Sequence, residues 1–394
     1  MLFFLKEDII KNMPKGGPDG VGSMYYYHQL LTEQALFSFI PESEKKPVSK
    51  VKSFVRKFPQ WLIDLERSIR ERKMVINFVN GKQKPSNIDF NNFDIIFFHR
   101  AKDLFNEREK LIKFHGVVVL QSHCPEPESH ELYATYSKLI KYSIPNLRSR
   151  LEMIDEYAFN RADYLVFPCE DAEEPYFNKW PYFKKIHDSK KIKYILTGIS
   201  PITPKRSRKE VLSELQIPAN DFIITYVGRH NEVKGYDLLK TIGQRLFSKS
   251  NDVWVISAGK EEPIKRLENS HWKEIGWTTD AHSYISAADV FVLPNRETYF
   301  DLVMLEVLAL GKIVIASRTG GNKYFEKQGV KGVFLYDNVN EAVSLINMIK
   351  SLSVSERLEL EESNRQFFVD NCQVSTMYMK CKEVLCDIWA KTNR

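Results

Sequence analysis

Along the chain, short blocks of mostly apolar residues alternate with longer stretches in which apolar side chains recur every third or fourth position. A first series of blocks runs Leu2–Leu5, Met74–Val79, Asp94–Phe98, Gly116–Leu120, Tyr164–Phe167 and Lys193–Leu196. A second runs Phe222–Val227, Val253–Ala258, Glu274–Trp277, Val290–Leu293, Ile313–Ala316 and Gly332–Leu335. Blocks this short, and nearly continuous in Ile, Val and Phe, predict parallel strands covered on both faces. The stretches between them predict helices, among them Tyr236–Phe247, Glu341–Leu352 and Ser375–Lys391. Alternation at this spacing builds βαβ units, so the two series predict two doubly wound α/β domains. Segment 198–210, with two prolines and a basic run, predicts the seam between them.

Composition narrows the class. The 394 residues are 43% hydrophobic with 17 Gly and 17 Pro, which excludes collagen-like, low-complexity and wholly disordered chains. No apolar run reaches the ~18–20 residues that a bilayer-crossing helix needs. The opening MLFFLKEDIIKN puts acids straight after a very short apolar stretch, a poor secretory signal. Five cysteines without repeated CxxC spacing suit a reducing compartment, so a cytoplasmic location is expected. Charge adds one feature: Lys50–Lys73 carries eight Lys/Arg against three acids, net +5, when the whole chain is only +6. Phe54, Phe58, Trp61, Leu62, Leu65 and Ile69 recur there at roughly helical spacing. This stretch is either a helix whose apolar stripe packs on the first domain, or a basic amphipathic element touching anionic lipid at the inner face of a membrane or a phosphate-bearing acceptor.

Chemistry concentrates in two segments. In TYVGRHNEVKGYDLL (225–239) a predicted strand ends at Gly228-Arg229, and Lys234-Gly235 opens a helix. Ligands of open α/β sheets bind beyond the carboxyl ends of strands, where Gly lets backbone approach closely and an Arg–Lys pair attracts an anion, a diphosphate first. Taken alone, two ordinary surface cations would look the same. In VFVLPNRETYFDLVMLEVLALG (290–311) a strand is followed by a polar loop and a helix starting near Asp301, which could cap it or leave its amides to a ligand. Glu306 lies among Val303, Met304, Leu305, Val307 and Leu308, where a carboxylate must be paired with a Lys or Arg or held by a hydroxyl-rich group such as ribose.

Together GR-x4-KG (228–235), ETYFDLVMLEVLALG (297–311) and IASRTGGN (315–322) resemble the nucleotide-sugar half of retaining GT-B glycosyltransferases, the family-four group in particular. The resemblance implies two Rossmann-like domains facing a cleft: 1–200 binding acceptor, 201–372 binding a nucleotide sugar, and a helix in 373–394 crossing back. It implies that Arg229 and Lys234 hold the donor diphosphate, that Glu306 holds the ribose, and that loop and helix-start residues around Gly228, Glu297, Thr298, Phe300, Asp301 and Leu302 meet the donor. Aligned from Glu306, the family's first Glu falls on Thr298, with Glu297 one residue early, and its Gly falls on Asp301. GGPDGVGSMYYYHQLL (16–31) resembles the family's Gly-Gly loop, Gly22 taking the second Gly position; a mobile surface turn is the competing reading. Gln121-Ser122-His123 follows a predicted strand where the family often carries a donor-contacting His.

The implied activity is a metal-independent, cofactor-free retaining transfer of a sugar from a UDP-sugar or other nucleotide sugar to a glycan, glycolipid or protein acceptor, in the manner of surface-polysaccharide enzymes. A non-catalytic GT-B-like partner subunit is the main alternative, favoured by Thr298 and Asp301. A sugar-nucleotide epimerase would need further acid/base residues. HCPEPESH (123–130) could suggest a metal site, but its prolines break the helical spacing such sites use. Nucleic acid is disfavoured, because the single basic stretch lacks a recognition motif.

Overall fold

A computed structural model describes residues 3–6, 37–40, 60–83 and 85–392 of the chain. Twelve strands among these residues form two all-parallel six-stranded sheets. The first sheet holds β1 (Phe3–Lys6), β2 (Phe37–Ile40), β3 (Ile95–Phe98), β4 (Val117–Gln121), β5 (Tyr164–Phe167) and β6 (Lys191–Tyr194) in the order β2-β1-β3-β4-β5-β6. The second holds β7 (Phe222–Val227), β8 (Val253–Ala258), β9 (Trp272–Gly276), β10 (Val290–Leu293), β11 (Ile313–Ser317) and β12 (Val333–Tyr336) in the order β12-β11-β10-β7-β8-β9. Chain order reverses between β7 and β10, which pair directly (Val290 beside Ile224, Phe291 beside Thr225), so the crevice of the second sheet opens at their carboxyl ends. The fold is GT-B.

The strand prediction fails in one place. Met74–Val79 is not a strand but the last turns of helix Gln60–Val79, with Val75 and Phe78 buried one turn apart on the side facing Ile140, Ile144 and Leu147. Its continuous apolar look came from a helix end whose other face is exposed: Met74 is 64% accessible. The strand beside β1 is instead Phe37–Ile40, which the pattern of blocks had passed over.

The chain leaves the first sheet after Tyr194, reaches the second unit at helix Arg208–Glu214, and returns through helices Val354–Asn371 and Val374–Thr392. At the crossing, Ile199 bridges Gln373, and Gly198 packs so closely on the Gln373 carbonyl that a Cβ would lie 2.4 Å from it. Helix Val374–Thr392 lays Met377, Tyr378, Cys381, Leu385 and Ile388 over Ile95, Phe97, Val119 and Val166 of the first sheet. Between the units, Tyr299 of the second packs on Phe167 and Tyr176 of the first, with centroids 6.2 and 6.4 Å apart, and its hydroxyl donates to the Ser122 carbonyl.

Gly235 fixes how the β7 and β10 loops meet. Its φ is +64°, and a Cβ there would lie 1.7 Å from the Pro294 carbonyl oxygen at the end of β10. Gly235→Ala should therefore destabilise the fold by at least about 2 kcal/mol, from left-handed strain plus the clash, as read by denaturant unfolding.

Candidate active site

After β7 the loop is held open by its own side chains. Tyr226 donates its hydroxyl to the Arg229 carbonyl at 2.8 Å, and the Asn231 side chain accepts from the Lys234 amide at 2.8 Å. Burial, with the Asp301 carboxylate nearby, holds the Tyr226 phenol well above the usual range. His230 is fully buried and lies flat on Tyr236, rings 3.8 Å apart and 6° from parallel, within reach of Ser257. This underpinning leaves Arg229 exposed and Lys234 partly exposed at the mouth of the sheet. The loop after β10 is clamped onto it: Arg296 pairs with Asp237 at 2.6 Å and donates to the Glu232 carbonyl, and its amide donates to the Val233 carbonyl.

The two loops converge on one carboxylate. Lys234 Nζ lies 2.6 and 2.9 Å from the two oxygens of Asp301, and the Asn295 side-chain amide donates to the same group. Asp301 precedes helix Leu302–Ala309 yet makes no side-chain cap bond to it, so the amides of Leu302 and Val303 are not taken by that carboxylate. A cation expected to meet a ligand's anion is thus already holding one.

The remaining expected residues are dispersed. Glu297 pairs with Lys179 of the first domain, and Lys179 also lies 3.4 Å from Glu126. Thr298 is buried, with its hydroxyl unpartnered. The Phe300 ring stacks on Phe325 at 5.6 Å and is a core ring, so only its backbone is left for a ligand. Glu306 is half-buried, and the side chain set against its carboxylate is the His282 imidazole at 3.6 Å rather than a Lys or Arg. Gly22 lies outside the described residues, as does the run 50–59 that begins the basic stretch. Among the described part of that stretch, Leu65 and Ile69 are 49% and 61% accessible, so they do not form an apolar stripe packed on the domain.

On the facing domain His123 stands exposed after β4, one residue from the Ser122 carbonyl that Tyr299 engages. Its Nε2 lies 2.9 Å from Nδ1 of His99, the residue after β3, and the rings stack at 5.2 Å. Burial, then His123, holds the His99 imidazole well below the usual histidine range, so the His99 ring is neutral. Sequence reasoning missed His99, Asn295 and Lys179. His99 is the first residue after buried β3 and Asn295 the second after buried β10, the same signal that singled out His123.

Glu174 of the first domain accepts from Thr319 and from the Gly320 amide at 3.4 and 3.2 Å and pairs with Lys323, while Asp171 pairs with Lys327 at 2.7 Å. The crevice is thereby bordered on its hinge side by bonds between the domains.

Residues 221–353 match the family described as glycosyl transferases group 1. Among characterised relatives, lipopolysaccharide 1,2-N-acetylglucosaminetransferase of Salmonella typhimurium is 24% identical over 192 residues, 43% of this chain and 50% of the relative. Granule-bound starch synthase 1 of Pisum sativum is 32% identical over 130 residues, 30% of this chain and 22% of the relative. The chain spans half the length, or less, of these relatives. In three dimensions Anabaena HepE, solved with UDP, superposes at TM-score 0.61 and 15% identity over 98% of this chain and 99% of its own. The Escherichia coli protein described as trehalose-6-phosphate, bound with UDP-2-fluoro glucose, superposes at 0.58 and 11% identity over 99% of both.

His230 offers a check on this scaffold. Burial pushes its imidazole down to about 4, whereas the unfolded chain takes a proton near its ordinary value of 6.5. Protons then favour the unfolded state, so stability should fall as pH drops from about 6.5 towards 4. His230→Phe, which keeps the stack on Tyr236, should flatten that part of the stability–pH curve measured by urea unfolding.

Proposed function

We propose that this chain is a retaining, metal-independent glycosyltransferase that takes a sugar from a nucleotide-diphosphate donor, a UDP-sugar in the first instance. The observation that carries the reading is the pair Arg229 and Lys234 at the switch point of the second sheet, the latter already neutralising an oxyanion. The match of 221–353 to a glycosyltransferase family, and a fold shared with a protein solved with UDP, support it.

In this reading the C1–O bond of the donor breaks with its electron pair passing to the diphosphate. Lys234, Arg229 and the amides at the start of helix Leu302–Ala309 stabilise the charge that develops there, which is the role a divalent cation would otherwise serve. The acceptor hydroxyl attacks C1 from the side the diphosphate leaves, and its proton goes to a departing phosphate oxygen, so configuration is retained. His123 orients the transferred sugar and Glu306 the ribose. Contacts such as Tyr299–Ser122 close the crevice and keep water from the oxocarbenium-like centre.

A non-catalytic partner subunit is the second reading. The carboxylate on Lys234 and the Thr298 hydroxyl favour it, because both stand where the family pattern has other groups. Calorimetric titration with nucleoside diphosphates and a donor-hydrolysis assay separate the two. In the enzyme, Arg229→Ala should cut turnover by about two to three powers of ten with the fold intact. Near-normal turnover would count against the assignment.

For the acceptor side we propose peripheral contact with an anionic membrane. Helix Gln60–Val79 exposes Leu65, Ile69 and Met74 beside Arg67, Arg70, Arg72 and Lys73. Next to it, joined by Arg72 donating to the Ser143 carbonyl, helix Lys138–Ser143 exposes Leu139 and Tyr142 beside Lys138. Apolar groups interleaved with cations suit a headgroup layer. Neutralising Arg70, Lys73 and Lys138 together should lower partitioning onto phosphatidylglycerol vesicles about a hundredfold, at roughly 1 kcal/mol per cation, in a flotation assay. Unchanged partitioning refutes the contact.

A further inference from the structure

We infer that Asp301 is the residue that reads the donor's sugar, and that it does so by handing Lys234 over to the diphosphate. The inference rests on the donor-site reading above and deepens it. Three side chains compete for the role. Glu297 is drawn across to Lys179 on the other domain, and Thr298 is 2% accessible and short. Asp301 is the carboxylate that stands at the start of helix Leu302–Ala309, against the diphosphate-binding lysine.

Its partners define what happens on binding. In the structure Asp301 takes two contacts from Lys234 and one from Asn295. A diphosphate carries more charge than a carboxylate and offers several oxygens, so it displaces Asp301 from Lys234. Asp301 then keeps Asn295 and has acceptor capacity to fill beside the diphosphate, where the C1-linked sugar sits. Hydroxyls of that sugar are donors of the right kind, and a buried-edge carboxylate discriminates strongly between a sugar that supplies a hydroxyl and one that does not. The exchange has a second effect: nucleotide without sugar must compete with Asp301 and gains nothing from it, so spent nucleotide is held more weakly than donor.

The test is titration of the full chain and of Asp301→Asn and Asp301→Gly with UDP and with UDP-glucose, UDP-galactose and UDP-N-acetylglucosamine. Freeing Lys234 should tighten UDP about tenfold or more in both variants, the scale of a charge-assisted bond. The wild type's preference among the three sugars should flatten to within about threefold, the scale left when a polar contact is gone. Glu297→Gln should keep the wild-type preference. The inference is overturned if UDP binds the variants no tighter, if their sugar preference persists, if the wild type binds UDP without any sugar preference, or if Glu297→Gln rather than the Asp301 variants flattens it. Failure of the wild type and both variants to bind UDP, ADP or GDP at all instead overturns the donor-site reading, and the inference falls with it.

Discussion

The pairing of β7 with β10 is the constraint from which the second domain's chemistry follows. Because chain order reverses there, no helix covers the strand ends, and two loops that are sixty residues apart in the chain are forced side by side. A glycine with positive φ lets them touch, an Arg–Asp pair locks them, and the cation of one finds the carboxylate of the other.

The first domain meets that crevice with side chains that also follow buried strands. His99 is the first residue after β3 and His123 the second after β4, and because those strands are neighbours the two rings stack. The aromatic contact through Tyr299, Phe167 and Tyr176 ties the loop of one domain to the heart of the other, so the crevice walls share a continuous core.

Much of the second domain was legible in the chain. The bounds of β7, β8 and β10 are those its apolar blocks predict, because a strand buried on both faces is nearly continuous in apolar residues. The loop residues were legible for the same reason, as polar groups directly after such a block. What the chain concealed was pairing at long range. Nothing near Glu297 announces Lys179, and nothing near Asp301 announces Lys234. Met74–Val79 misled because its apolar residues sit on a helix that leaves one side bare, where composition imitates a strand. Glu306 looked stranded among apolar neighbours, yet the helix turns it towards His282, on a side its local sequence does not reveal.

Glu174 carries a consequence for motion. One carboxylate gathers the Thr319 hydroxyl, the Gly320 amide and the Lys323 ammonium from a single tight turn. Parting the two halves at this point would give up contacts to a hydroxyl, an amide and an ammonium that a single side chain holds at once, so Glu174 couples three bonds to one motion.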